Sequence, residues 1–87
     1  MDSIMLQAPI EQLGERLIIR LSDDVSTQLP SRGEVASDIT VDDTTFLAVI
    51  EPDGMRGHWL PINAAFLEAS NLQPEQAVGQ QVTLSIN

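Results

Sequence analysis

Residues 58–86 read HWLPINAAFLEASNLQPEQAVGQQVTLSI, and this stretch decides the fold. At its far end Val82, Leu84 and Ile86 alternate with Gln81, Thr83 and Ser85. A period of two puts the apolar set on one face of a half-buried strand. The opening HWLPIN predicts a second short strand. Its parity groups Trp59 with Pro61, and His58 with Leu60 and Ile62. Between the strands lies a short helix. Asn63 is a good N-cap, Phe66 and Leu67 supply an apolar side, and Asn71 suits the left-handed position after the last turn. Gly79 then turns the chain into the final strand.

The same order occurs earlier in the chain. Leu17, Ile19 and Leu21 share one strand face, with Ile18 and Arg20 on the other. Ser22 caps a helix whose first turn holds Asp23 and Asp24, where carboxylates meet the positive end of the helix. Val25 and Leu29 form its apolar side and Pro30 ends it. Gly33 turns into EVASDITV, where Val35, Ile39 and Val41 oppose Ala36, Asp38 and Thr40. Leu21 matches Ile62 and Ser22 matches Asn63 at an offset of 41, and Gly33 matches Gly79 at 46. Neither unit can bury its apolar face alone. The two are expected to face each other in a closed barrel with a helix at either end.

The remaining segments fit between these units. TTFLAVIE is apolar on both faces from Phe46 to Ile50 and predicts a central strand. VDDTT predicts a hairpin at Asp42 and Asp43, and EPDGMRG a second turn built on Pro52, Asp53 and Gly54. Pro9 cannot donate to a ladder, so a first strand is expected to end at Ala8, with Gln12 to Glu15 as the turn into RLIIRLS. The expected architecture is mainly β: a small double-split barrel with two short capping helices and a pseudo-two-fold internal repeat, residues 1–87 forming one domain.

Charge narrows the partners. Thirteen carboxylates face four arginines and no lysine, for a net charge of −9. That field repels the phosphates of nucleic acids and of anionic membrane surfaces. The absence of cysteine excludes disulfides, thiolate metal sites and cysteine nucleophiles. No apolar run approaches the roughly 20 residues of a membrane span. MDSIMLQAPI lacks the basic n-region of a signal peptide, so a cytoplasmic location is expected.

The unit from His58 to Ile86 resembles the strand, helix, turn and strand motif of the AbrB/MazE-like proteins. The stretch from about Ile18 to Ile86 is more similar to a small prokaryotic family known as domain of unknown function nineteen-oh-five, on the pieces SRGEV, EPDGMRGHWLPIN and AVGQQVTLSI. That resemblance implies an AbrB-like barrel made by one chain, in a family whose domain stands alone or is fused to YdeI/OmpD-associated sequences. It implies no activity. Gly79-Gln80 stands where the pattern usually has glycine and aspartate. Arg16, Arg20 and Arg32 lie among Glu11, Glu15, Asp23, Asp24 and Glu34, which disfavours the DNA binding of AbrB members.

Four residues form the candidate ligand site. Arg56, His58 and Trp59 could line a recess for an anionic or aromatic small molecule, and Arg32 in SRGEV could add a guanidinium fork. The competing structural reading has Gly54 and Gly57 turning a hairpin, Trp59 anchoring the core, Arg56 and His58 facing solvent, and Gly33 supplying a positive φ. A catalytic triad on His58 finds no serine in an elbow context. A dedicated metal site finds one histidine and no calcium-loop spacing. No cofactor is expected.

The expected function is therefore a non-enzymatic binding or accessory module, monomeric, whose partner is a small molecule or a protein. A transcriptional regulator or antitoxin of the AbrB/MazE kind is the first alternative. A chain passing straight from its last strand to Asn87 would leave no toxin-neutralising tail for it. The second alternative is an enzyme acting on a small anion.

Overall fold

The computed structural model describes residues 3–87, and the first two residues of the N-terminal stretch read above lie outside them. In chain order the elements are β1 (Ile4–Pro9), β2 (Glu11–Leu13), β3 (Arg16–Arg20), α1 (Asp23–Gln28), β4 (Val35–Val41), β5 (Thr44–Pro52), β6 (His58–Pro61), α2 (Ala64–Ser70), α3 (Pro74–Ala77) and β7 (Gln81–Ile86). The strands are antiparallel and pair in the order β1-β7-β4-β5-β6-β3-β2, a curled, barrel-like sheet.

Two long segments make the curl. β5 pairs with β4 from Thr44 to Ile50, then passes to β6 with Glu51 and Pro52. β1 and β2 stand at opposite ends of the pairing order, yet only Ile10 separates them in the chain. Ile10 stays tied to the segment before β7: its N–H donates to the Gln80 carbonyl at 2.9 Å, and its carbonyl accepts from the Gly79 N–H at 2.7 Å.

The inner face follows the alternation. Ile19, Val35, Ile39, Val41, Ile50, Leu60, Val82, Leu84 and Ile86 are buried in one cluster. α1 packs on β1, and α2 on β4 and β5. Phe66 of α2 is fully enclosed, its ring edge-on to Phe46 at 5.9 Å between centroids.

Both expected helix caps are present. Ser22 Oγ accepts from the Val25 N–H at 3.3 Å, and Asn63 Oδ1 accepts from the Phe66 N–H at 2.9 Å. Asn71 closes α2 at φ 57°, ψ 41°. Other bonds repeat at the same spacing. The Ser26 N–H reaches the Ser22 carbonyl, and the Leu67 N–H that of Asn63. The Leu21 N–H reaches the His58 carbonyl at 3.0 Å, and the Ile62 N–H reaches the Leu17 carbonyl at 2.8 Å. Each pair of bonds is related by 41 residues, the offset read from the sequence.

Five expectations are corrected. A third helix, α3, fills the longer passage of the second unit; it starts at Pro74, whose missing N–H costs nothing in a first turn. β1 continues through Pro9, which is tolerated because β1 pairs only with β7. Glu11–Leu13 is a strand, and Gly14 at φ 63° with Glu15 makes the turn. β5 is central but one-sided, since Leu47 and Val49 on its outer face are 68% and 44% exposed. Gly33 does not take a positive φ; its N–H donates to Ser31 Oγ, and the chain bends there without left-handed backbone.

Candidate functional site

The four arginines divide into two pairs. Arg16 and Arg20 belong to β3 and are committed to the sheet's outer surface. Arg16 meets Glu51 at 3.0 Å and Arg20 meets Glu11 at 3.3 Å. In the strand register, Glu51 lies opposite Trp59, and Trp59 opposite Arg20. Trp59 donates its indole N–H to Glu51 Oε1 at 3.2 Å, and the Arg20 guanidinium lies 5.6 Å from the centre of the indole. Trp59 is therefore a half-buried member of a polar row across β5, β6 and β3, and Phe66 takes the core position expected of it.

The Arg16 side chain, followed by the Trp59 N–H, holds the Glu51 carboxyl below the usual carboxylate range. The stability this contributes is complete above the ordinary carboxylate pKa of the unfolded chain. It is lost as pH falls through the lowered folded value. Glu51 is about one-third exposed and Arg16 about half, so screening keeps the effect below about 1 kcal/mol. Glu51→Gln is expected to lower the melting temperature slightly at neutral pH and to match the parent in acid. A difference that persists unchanged into acid would remove the ionic explanation.

Arg32 and Arg56 form no ion pair or side-chain hydrogen bond among the described residues. Both line a recess of about 650 Å³ whose third wall is α1, with Asp23, Ser26 and Thr27. Met55 stands at its rim, 81% exposed, and His58 completes the lining. The structure thus brings Arg32, Arg56 and His58 together. Trp59, one residue on, takes the other face of β6, as strand parity requires.

Each wall has a local cause. Ser26 follows Val25 on α1 and is buried beside it. The loop from Asp53 to Gly57 is clamped by one side chain. Asp53 Oδ1 accepts from the N–H groups of Met55 at 2.7 Å and Gly57 at 3.0 Å, and the Asp53 N–H donates to the Gly57 carbonyl at 3.0 Å. A Cβ on Gly57 would meet Asp53 Oδ2 at 2.7 Å, so a side chain there would push the Asp53 carboxylate out of this clamp. Inside the clamp Arg56 sits at φ 89°. Such backbone costs a residue with a Cβ on the order of 1 kcal/mol, and its occurrence at functional sites is frequent.

His58 is 2% exposed, where the structural reading of the sequence had it facing solvent. Its Nε2 lies 3.1 Å from the Gly33 carbonyl. A carbonyl only accepts, so Nε2 carries the proton and donates. This bond ties the Arg32 loop to β6. Nδ1 is buried with no partner, and so is Ser26 Oγ; they are the two such side-chain atoms among the described residues. A buried polar atom left unpaired costs about 1–3 kcal/mol.

The 41-residue spacing supplies an internal control. The position equivalent to His58 is Leu17, and that equivalent to Ser26 is Leu67; both leucines pack against the core. Asp23 corresponds to Ala64, and Ala64, Leu67 and Glu68 line a smaller hollow on α2. Each unit carries a leucine at one of these positions, Leu17 in the first and Leu67 in the second. Each also carries one buried unpaired polar atom, Ser26 Oγ in the first and His58 Nδ1 in the second, and the two residues meet at the recess at a cost to stability.

The sequence from residue 7 to residue 86 matches the family described as Domain of unknown function (DUF1905). The chain belongs to that family. No curated protein matches it. The DUF1905 match covers both units, α1 and the whole recess. No helix among the described residues of this DUF1905 chain is long and apolar enough to cross a membrane.

Sequence reasoning missed Ser26 and Thr27 as site residues, and read Asp23 as a charge in the first turn of α1. The signal lay in the repeat: aligning SDDVSTQL on NAAFLEAS sets Asp23, Ser26 and His58 against Ala64, Leu67 and Leu17.

Proposed function

We propose that this chain is a non-enzymatic binding module that takes a small anionic molecule in the recess beside α1. One observation carries the reading: two guanidinium groups uncommitted among the described residues, Arg32 and Arg56, share a recess with Ser26 Oγ and His58 Nδ1, which have no partner there. Guanidinium groups recognise carboxylate and phosphate through paired N–H donors. In a chain of net charge −9, cations left unpaired in one place stand out as an anion site.

The proposal includes the finer architecture. The bonds repeated at 41 residues support a duplicated half arranged about an approximate two-fold axis, the AbrB-like double-split plan, within a single chain. One chain holding both halves supports a monomer. The acidic charge and the lack of cysteine support a cytoplasmic setting without a nucleic-acid partner.

Thermal denaturation in the presence of phosphate and of small carboxylates tests the site. A ligand at 100 times its dissociation constant stabilises the native state by about 2.7 kcal/mol, a rise of roughly 10 °C or more for a domain this size. The double variant Arg32→Ala, Arg56→Ala is expected to abolish the rise. If neither anion class shifts the melting temperature of the parent, the anion-site reading is wrong.

A further inference from the structure

The chemistry of the two unpaired atoms narrows the ligand beyond its charge, on the reading of the recess as an anion site. Because Nε2–H donates to the Gly33 carbonyl, the neutral imidazole of His58 presents Nδ1 as a bare acceptor. Ser26 Oγ can donate or accept. Asp23 is a further acceptor on the lining, and its charge offsets one of the two arginines. The recess therefore carries one net positive charge and more acceptors than a simple anion uses. A bare carboxylate or sulfate has no hydrogen to give Nδ1.

We infer that the ligand class is a small hydroxycarboxylate. Its carboxylate sits on the Arg32 and Arg56 guanidinium groups. Its hydroxyl donates to His58 Nδ1 and accepts from Ser26 Oγ. A hydroxyl is the smallest group that does both, and it gives each buried atom the partner it lacks within the protein. Both atoms are closed off from water, so the hydroxyl reaches them as the lining of the recess shifts to admit it. Such a site discriminates strongly, because an analogue without the hydroxyl leaves buried polar groups unpaired.

The experiment is a titration at about pH 8, where an ordinary imidazole is neutral. Glycolate and lactate are compared with acetate and propionate, and with glycerol, which has hydroxyls and no charge. Hydroxy acids are expected to bind at least about tenfold more tightly than the matched plain acids, and glycerol not to bind. The ¹⁵N resonance of His58 Nδ1 is expected to move with glycolate and not with acetate. His58→Leu, carrying the residue found at the equivalent Leu17, is expected to keep carboxylate binding and lose the tenfold preference. Equal binding of glycolate and acetate, with Nδ1 unmoved, would overturn the hydroxy-acid assignment, a buried water then serving the two atoms, and would leave the anion site standing. A parent that binds none of these acids and no phosphate overturns the anion site itself. Retention of the preference in His58→Leu overturns the role given to Nδ1.

Discussion

Phe66→Ala is expected to cost about 3–5 kcal/mol, the range for deleting a fully enclosed aromatic ring. Phe66 is 0% exposed and meets Phe46 edge-on, so the substitution removes both buried area and an oriented ring contact. The site cannot collapse easily, because Asn63 caps the first turn through the Phe66 N–H itself and fixes the backbone there. A domain of this size has a total stability on the order of 5–15 kcal/mol. The variant should therefore melt at least about 12 °C below the parent, or fail to fold at 37 °C. Urea denaturation gives the free energy directly. A loss under about 1 kcal/mol would mean that α2 does not close the core. The same change at Trp59 is expected to be milder, since that ring is half-buried and its partners are Glu51 and Arg20 at the surface.

The second large effect has the opposite sign. Replacing Ser26 and His58 together with leucine, the residues at the equivalent positions 67 and 17, removes both unpaired polar atoms. Each such atom costs about 1–3 kcal/mol, partly offset by the lost bond from His58 to the Gly33 carbonyl, which lies on an exposed residue and can turn to water. The double variant should gain about 1–3 kcal/mol in urea denaturation and lose any preference among small acids. Stability gained at the expense of selectivity is a recurrent trade-off when a binding site is repaired toward a plain core. If the double variant is destabilised by a similar amount, the two polar side chains are structural. The recess would then hold no special chemistry beyond its arginines.

How much of this could be read in the sequence depends on the range of the interaction. Ser22, Asn63 and Asn71 were legible because a cap or a left-handed residue is decided within four residues of itself. Val82, Leu84 and Ile86 were legible because strand alternation is local too. The continuous segment of β1 and β2 was not. Ala8-Pro9-Ile10-Glu11 parallels Ala48-Val49-Ile50-Glu51 forty residues later; Ile10 and Ile50 are both enclosed, and Glu11 and Glu51 both meet an arginine of β3. Pro9 masks the likeness, because a proline reads as the end of a strand until the pairing shows that its position is an edge.

At the site, strand parity puts His58 on the face of Leu60, and both side chains are buried. Its partner, the Gly33 carbonyl, lies 25 residues away, and no local pattern announces it. Trp59 was grouped with His58 by adjacency in the chain, but neighbouring residues on a strand look in opposite directions. Ser26 carried no mark of its own. Only its counterpart Leu67 shows that a polar group stands where the fold is content with an apolar one.

The pairing of β1 with β7 has a kinetic consequence. The β4–β5 hairpin closes over two residues, Asp42 and Asp43, and needs nothing from the rest of the chain. The partner of Ile4 is Ile86, so that ladder waits until almost the whole polypeptide has been gathered. Acquisition of the native state is then paced by the slow closure of one very large loop, in the millisecond-to-second regime of non-local β proteins. Until β1 docks, the open flank of β7 is the place where a half-assembled molecule would stick to its neighbours.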